Sequence, residues 1–352
     1  MRVPANAEVL LRLTVLGQVL IQHDLRADLS PDFAAFATMF GQADACFTDL
    51  ETAICSPLAE APTREGVFLH VADPVVLDCL QDLSISLLAT ANNHSWDLGT
   101  GGIIGAVGEL EARGFADAGS GIDLAAAGAP DYRRTENGCV ALVAVASGAI
   151  RDGAAATATR AGVNELRRDP NGILDPVDLS RVLAAIAEAA AQADVVLACH
   201  HNHLLEERGR QTPKWQRVFA RKCIDAGASL YVSHGAPRPH GIENYSGRPI
   251  FHDLGNLVFQ TATEQGFYDD EVWQSAIAEC RFVGGRFRDV TLTPIQLNSE
   301  GVAGPGDLAT RGRPSIARGV EARMILDRIA ELSRPFGTRL ERAGDTAIIC
   351  AA

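Results

Sequence analysis

Short apolar runs alternate with segments of helical period along most of this chain, and that order limits the fold more than any other feature. The runs "VLLRLTVLG" (9–17), "ACFTDLE" (45–51), "SISLLATA" (84–91), "GCVALVAVA" (138–146), "DVVLACH" (194–200), "SLYVSH" (229–234) and "RPIFHDLG" (248–255) read as strands. Between them, "SPDFAAFATMFGQ" (30–42), "DPVVLDCLQDL" (73–83), "GTGGIIGAVGELEARG" (99–114), residues 178–193 and "PKWQRVFARKCIDAG" (213–227) read as helices. Ser30 and Asp73 are the expected caps, and Gly114 the expected stop. Residues 280–292 and 346–351 read as further strands, with a helix at about 314–334 between them. Such alternation predicts an α/β fold with sheets buried under helices.

A chain of 352 residues buries a large core without disulfides or a structural metal. Its formal net charge of −13 repels nucleic acid and anionic lipid, so neither is an expected partner. The eight cysteines show no C-x-x-C spacing, which argues against a zinc ribbon or a redox dithiol and for buried free thiols in a reducing compartment. The N-terminal run contains Arg12 and lacks a small-residue cleavage site, and no apolar stretch approaches the ~20 residues of a membrane helix. The expected location is the cytoplasm. The Gly- and Ala-rich stretch 147–176 is long for a connection and reads either as a lid or binding loop or as an excursion outside the core.

The polar residues fall at the strand ends. Gln18 with His23, Asp49 with Glu51, Asn92-Asn93-His94, His200-His201-His203 and His234 each follow an expected strand, and six of the nine histidines lie in these segments. In α/β folds the ligand crevice lies outside the carboxyl ends of the strands. If the strand continues through "HHNH" (200–203), His201 and His203 share one face and His200 takes the other. Imidazole is a common ligand of divalent transition metals, which makes His201 the favoured ligand of the group. In "TDLET" (48–52), Asp49 and Glu51 share a face and suit a metal or a general base, or are simply solvated. "VSHGAPRPHGIE" (232–243) adds His234 and His240 in a loop stiffened by proline.

Taken in order, "TVLGQVL", "FTDLETAI", "LLATANNHSWDLGTGGI", "VVLACHHNH", "CIDAGASLYVSHGAP" and "GIENYSGRPIFHDLGNLVF" resemble the CapA family, named for poly-γ-glutamate capsule synthesis, within the calcineurin-like metallophosphoesterases. The resemblance covers residues from about 13 to 260. It implies a layered α/β/β/α sandwich with mixed sheets flanked by helices. A metallohydrolase domain would span 8–300, with residues 301–352 adding a helix and a strand to the same domain. It also implies that Asn93 offers its carbonyl oxygen to a metal, that His94 is the proton donor, and that Asp97 orients His94 or caps the next helix. Glu51 would take the metal-bridging position, with His201 and His234 completing that ion's ligands.

Two family positions differ. Gly-Asp is replaced by Gly17-Gln18, and the second histidine of His-x-x-His by Pro237. Both serve the same metal in the two-ion scheme. Either that ion is lost, leaving one held by Glu51, Asn93, His201 and His234, or it is rebuilt from His23 and His240, with His203 a further replacement. Rebuilding is slightly favoured, because two new imidazoles lie close in sequence to the two losses. Mn, Zn and Fe all suit mixed N/O ligands. A divalent ion brings the pKa of water to about 7, and His94 would then donate to the leaving group. Arg238 and Arg26 are candidates for holding an anionic group of the substrate. These residues imply a metal-dependent hydrolase acting on a small molecule, with amides, lactams or peptide-like compounds favoured by the family's link to polyglutamate. A phosphoesterase, or a non-catalytic accessory protein of γ-glutamyl polymer synthesis, is the alternative, and a homo-oligomer stays open.

Overall fold

The computed structural model describes residues 9–28, 31–206 and 209–351. The Ser30 cap and the first eight residues lie outside that set. Strands Leu10–Val15, Ala45–Asp49, Leu87–Ala89 and Ala116–Ala118 pair side by side in parallel. Gln274–Val283 adds to Leu10–Val15 in the antiparallel sense and carries Arg286–Leu297, Thr346–Cys350 and Glu341–Ala343 beyond it, completing a mixed nine-stranded sheet with Pro314–Ile316. A mixed six-stranded sheet runs Ile242–Tyr245, Arg248–Phe251, Leu230–His234, Val195–Asn202, Gly138–Ser147, Asp131–Thr135.

Strand alternation sorts the side chains into layers. Leu13, Val15 and Phe47 of the first sheet and Leu142, Leu197, Cys199 and Val232 of the second share one buried cluster between the sheets. The outer face of the first sheet offers Cys46 and Leu88 to helices Pro31–Phe40 and Val75–Asp82 through Phe36, Phe40, Val76 and Leu80. The outer face of the second offers Val143, Val196 and Ala198 to helices Pro176–Ala190 and Lys214–Asp225 through Val182, Ile186 and Phe219. The result is an α/β/β/α sandwich. Ala322, Ile325, Leu326 and Ile329 of helix Gly319–Ser333 join the cluster between the sheets.

Local expectations fail in two places. Residues 280–292 belong not to one strand but to two arms of a hairpin. Gly284 and Gly285 turn it at φ 55° and 74°, the left-handed region that a two-residue hairpin loop requires. Asp73 does not cap its helix with its side chain: Pro74 stands at the N-cap, and the Asp73 backbone carbonyl takes the Val76 N–H instead. The stretch 147–176 is tied to the body by Gly162–Val163 pairing with Ser120–Gly121 and by a bridge between Ala146 and Glu165. Gly17 allows one close approach between backbones. A Cβ on Gly17 would stand 2.5 Å from the Gly255 carbonyl oxygen, which accepts the Gln18 N–H at 3.0 Å.

Candidate metal centre

Asp49 follows Ala45 and Phe47 on the inward face of its strand, and His201 follows Leu197 and Cys199 on the inward face of the other sheet. The two sheets therefore point these side chains at each other, and Asp49 Oδ2 lies 2.7 Å from His201 Nδ1. Burial opposes protonation of His201, but the adjacent Asp49 charge outweighs it and the imidazole pKa is raised. With Nδ1–H donated to Asp49, Nε2 is presented to the crevice, the orientation a carboxylate imposes on a metal-ligating histidine. There Nε2 meets Asn93 Oδ1, another acceptor, at 2.8 Å. Two acceptors at that distance need a proton or a cation between them.

Glu51 closes the group. It is 4% exposed, and its Oε1 stands 3.6 Å from His201 Nε2 and 3.8 Å from both His203 Nε2 and His94 Nε2. Burial alone would raise its pKa; His203, His201 and His94 reverse that and hold it well below the usual carboxylate range. Glu51, His201 and His203 offer ligand atoms within 4.8 Å of one another. Separations of about 3–4 Å are those of ligand atoms bonded at about 2.1 Å to one cation. Glu51 Oε2, His203 Nε2 and both ring nitrogens of His234 are buried without a hydrogen-bond partner, an arrangement that a bound cation relieves. His234 sits opposite His201 in the parallel register of the two strands, so it belongs to the same face. These residues fit a divalent ion.

The paired asparagines have separate tasks. Asn92 is a clip: its Nδ2 donates to Asp49 Oδ1 at 3.1 Å and the Leu50 carbonyl at 2.8 Å, while its Oδ1 accepts the His94 N–H at 3.0 Å. Asn93 is left to face His201. His94 Nδ1 lies 2.8 Å from Asp97 Oδ2, so Asp97 orients the ring; the helix that follows has no side-chain cap. Burial lowers the His94 pKa well below its ordinary value despite the nearby Glu51 charge. His200 takes the opposite face, as strand alternation requires, and bonds Ser147 and Tyr231 at 2.9 Å beside Phe219.

Four candidates stand apart from this group. His23 is exposed in the loop after Gln18–Leu20. His240 is buried, but Thr212 Oγ1 at 3.0 Å and the Gly209 carbonyl at 2.8 Å occupy both its nitrogens. Neither imidazole belongs to the group of Glu51, His201 and His203. Gln18 instead accepts the Gly235 N–H at 2.8 Å, and the Pro237 carbonyl accepts Asn256 Nδ2 at 3.2 Å. Arg238 is held by Glu271 at 2.9 Å and Asp269 at 3.5 Å; Arg26 is held by Asp24 at 2.7 Å and Asp82 at 3.0 Å. Arg26 thus has two carboxylates, whereas Arg238 shares Asp269 with Arg210 and Glu271 with Arg328.

Four residues absent from the sequence reading lie beside the cluster. Arg64 and His70 come from the excursion between Ala53–Ile54 and Val71–Ala72, and Arg151 from the stretch after Gly138–Ser147. Asp253 stands 4.0 Å from His234, and burial raises its pKa well above the usual range. Of the four, Asp253 alone carried a signal, a carboxylate just past the strand "RPIF". The others sit on irregular segments with no period to mark them.

Residues 12–261 match the model of the bacterial capsule synthesis protein family PGA_cap. The chain belongs to the PGA_cap family. PGA_cap is part of the metallophosphoesterase-like superfamily, in agreement with the sandwich and with the cluster at its strand ends. An uncharacterized protein of Sinorhizobium fredii, y4sH, is 26% identical over 93% of this chain and 90% of its own length. The PGA biosynthesis protein CapA of Bacillus subtilis is 31% identical over 51% of this chain and 44% of its own. A probable polyglutamine synthesis accessory protein of Mycobacterium tuberculosis is 30% identical over 61% and 55%. Among the described residues of this PGA_cap chain, no helix is long and apolar enough to cross a membrane.

Proposed function

We propose that the chain is a metal-dependent hydrolase with one divalent ion, Mn, Zn or Fe, held by Glu51, Asn93, His201 and His203 with His234 beside them, and that it cleaves a C–N bond in a small peptide-like substrate. The supporting observation is Glu51, a buried carboxylate with one oxygen unpartnered and the other facing three imidazole nitrogens at 3.6 to 3.8 Å. A divalent ion held there would supply Lewis acidity and lower the pKa of water toward neutrality. Asp49 keeps His201 in the ligating tautomer. Asp97 anchors His94 Nδ1, which leaves Nε2 to take or give a proton at the reacting group. The C–N preference draws on the relatives' names, which refer to polyglutamate and polyglutamine synthesis. All eight cysteines are free, which favours a reducing compartment such as the cytoplasm.

A second reading has an observation of its own, since one relative is named an accessory protein. The test is hydrolysis of γ-glutamyl-p-nitroanilide and of p-nitrophenyl phosphate by protein loaded with Mn²⁺, Zn²⁺ or Fe²⁺. The expected result is release of p-nitroaniline, lost in Glu51→Gln and reduced in His94→Gln. Release from the phosphate ester alone would turn the assignment to a phosphoesterase. Cleavage of neither, with retained binding of a γ-glutamyl oligomer, would favour the accessory role.

A further inference from the structure

Two guanidinium groups meet on a single carboxylate oxygen at the edge of the cluster. Arg64 Nε lies 3.2 Å, and Arg151 Nη2 2.6 Å, from Oδ1 of the fully buried Asp97. The other oxygen of Asp97 is taken by His94 Nδ1 and the His70 N–H, at 2.8 and 3.3 Å. One contacting carboxylate thus serves two permanent positive charges; the next carboxylate, Glu51, also acts on Arg64 from a distance but faces the imidazoles. Both arginines are partly withdrawn from water, at 21% and 25% side-chain exposure, so solvent screens their charges incompletely.

The donors are unequally used. Arg64 gives one Nη2 hydrogen bond to the Asn93 carbonyl at 2.9 Å, which places it directly behind the candidate ligand. Arg151 Nε and Nη1 are buried with no partner, and so is His70 Nδ1, whose ring lies 4.3 Å from that of His94. Trp96 lies under the Arg151 guanidinium, 5.6 Å from its centre, and steadies its plane. A guanidinium with two unpartnered donors, sharing its one carboxylate with a second guanidinium, suits an oxyanion ligand, which Nε or Nη1 can reach together with the second N–H of Nη2. Arg26, by contrast, faces two carboxylates, Asp24 and Asp82.

We infer that Arg64 and Arg151 form a receptor for an anionic group of the substrate, a carboxylate or a phosphate, next to the bond that is cleaved. This rests on the hydrolase reading for the bond, but not for the binding of the anion. It narrows the substrate class: neutral amides and lactams would leave the two guanidinium groups sharing one contacting carboxylate, whereas acidic peptide-like compounds or phosphorylated ones would bring a second anion.

The test uses metal-stripped full-length protein at constant ionic strength, titrated calorimetrically with glutarate and, separately, with inorganic phosphate. Metal content of the untreated protein is measured in parallel. At least one of the two anions should bind, and the tighter one identifies the source of the oxyanion. Arg64→Gln and Arg151→Gln should each weaken it about tenfold, and the double variant should abolish it. Arg151→Lys, which keeps the charge and loses the fork, should fall between wild type and Arg151→Gln. Asp97→Asn, which frees both guanidinium groups, should tighten it. Circular dichroism checks that each variant is folded. Absence of binding for both anions, or equal affinity in the folded double variant, overturns the receptor. A wild type without bound ion fails the hydrolase reading alone, because the titration is read on stripped protein.

Discussion

The two halves of the crevice hold the same residue types and treat them oppositely. Around Glu51, imidazole nitrogens and a carboxylate oxygen are buried with no hydrogen-bond partner. Around Gln18 and His240, both imidazole nitrogens and the Gln18 side-chain oxygen have protein partners: Gln18 accepts from Gly235, and His240 meets Thr212 and Gly209, while Arg238 Nε and Asn256 Oδ1 nearby have none. A buried polar group without a partner costs about 1–3 kcal/mol, so several of them in one place point to a ligand. Buried groups with their partners in place are structural. Burial and residue type do not separate these two roles; the crowding of unpartnered ligand-type atoms of Glu51, His203 and His234 does.

The largest expected break of this contrast is at the first half. Glu51→Gln or His201→Ala should weaken divalent-ion binding by more than the roughly 10–100-fold that loss of a supporting residue causes. Metal titration by calorimetry checks it, and unchanged affinity in either variant would remove the distinction. Asp49→Asn probes the support itself. It should cost about 10–100-fold in ion affinity while the fold persists, because His201 loses the acceptor that fixes its tautomer.

The opposite outcome is expected at the second half. His240→Ala should leave ion affinity unchanged and destabilise the fold by about 1–3 kcal/mol, measured by denaturant unfolding, since the Thr212 hydroxyl and Gly209 carbonyl lose their partner. Asp117 sharpens the contrast from a third place. Burial, helped by the charges of Asp131 and Glu111, pushes its pKa up to about 7. A raised acid favours folding most below its ordinary pKa, and that contribution is lost as pH rises through 7. Asp117→Asn should therefore raise the melting temperature more at pH 8 than at pH 5, by a difference worth about 1–2 kcal/mol. An equal gain at both pH values would contradict the shift. Exposed His23, replaced by Ala, should change stability by less than about 0.5 kcal/mol and ion binding not at all.

Strand period made much of this arrangement legible in the sequence. Alternation put His200 and His201 on opposite faces, and the structure packs His200 on Phe219 while aiming His201 at Asp49. Alternation also carries Asp49 to the space between the sheets, where it meets a residue 152 positions away. What periodicity could not carry was pairing by proximity in sequence. His23 and His240 lie near Gln18 and Pro237 along the chain, but His23 is exposed and His240 has both ring nitrogens taken by Thr212 and Gly209. Arg64 and Arg151 were invisible for the converse reason. Irregular segments bring them to Asp97, and no local pattern distinguishes them from Arg26, which meets Asp24 and Asp82 instead.

Elemental analysis of purified protein tests the contrast most directly, with ions counted per chain in wild type, Glu51→Gln, His201→Ala, His240→Ala and His23→Ala. The account predicts one divalent ion per chain in wild type, His240→Ala and His23→Ala, and none in Glu51→Gln or His201→Ala. Two ions per chain in wild type, with one lost on replacing His240 or His23, would contradict it.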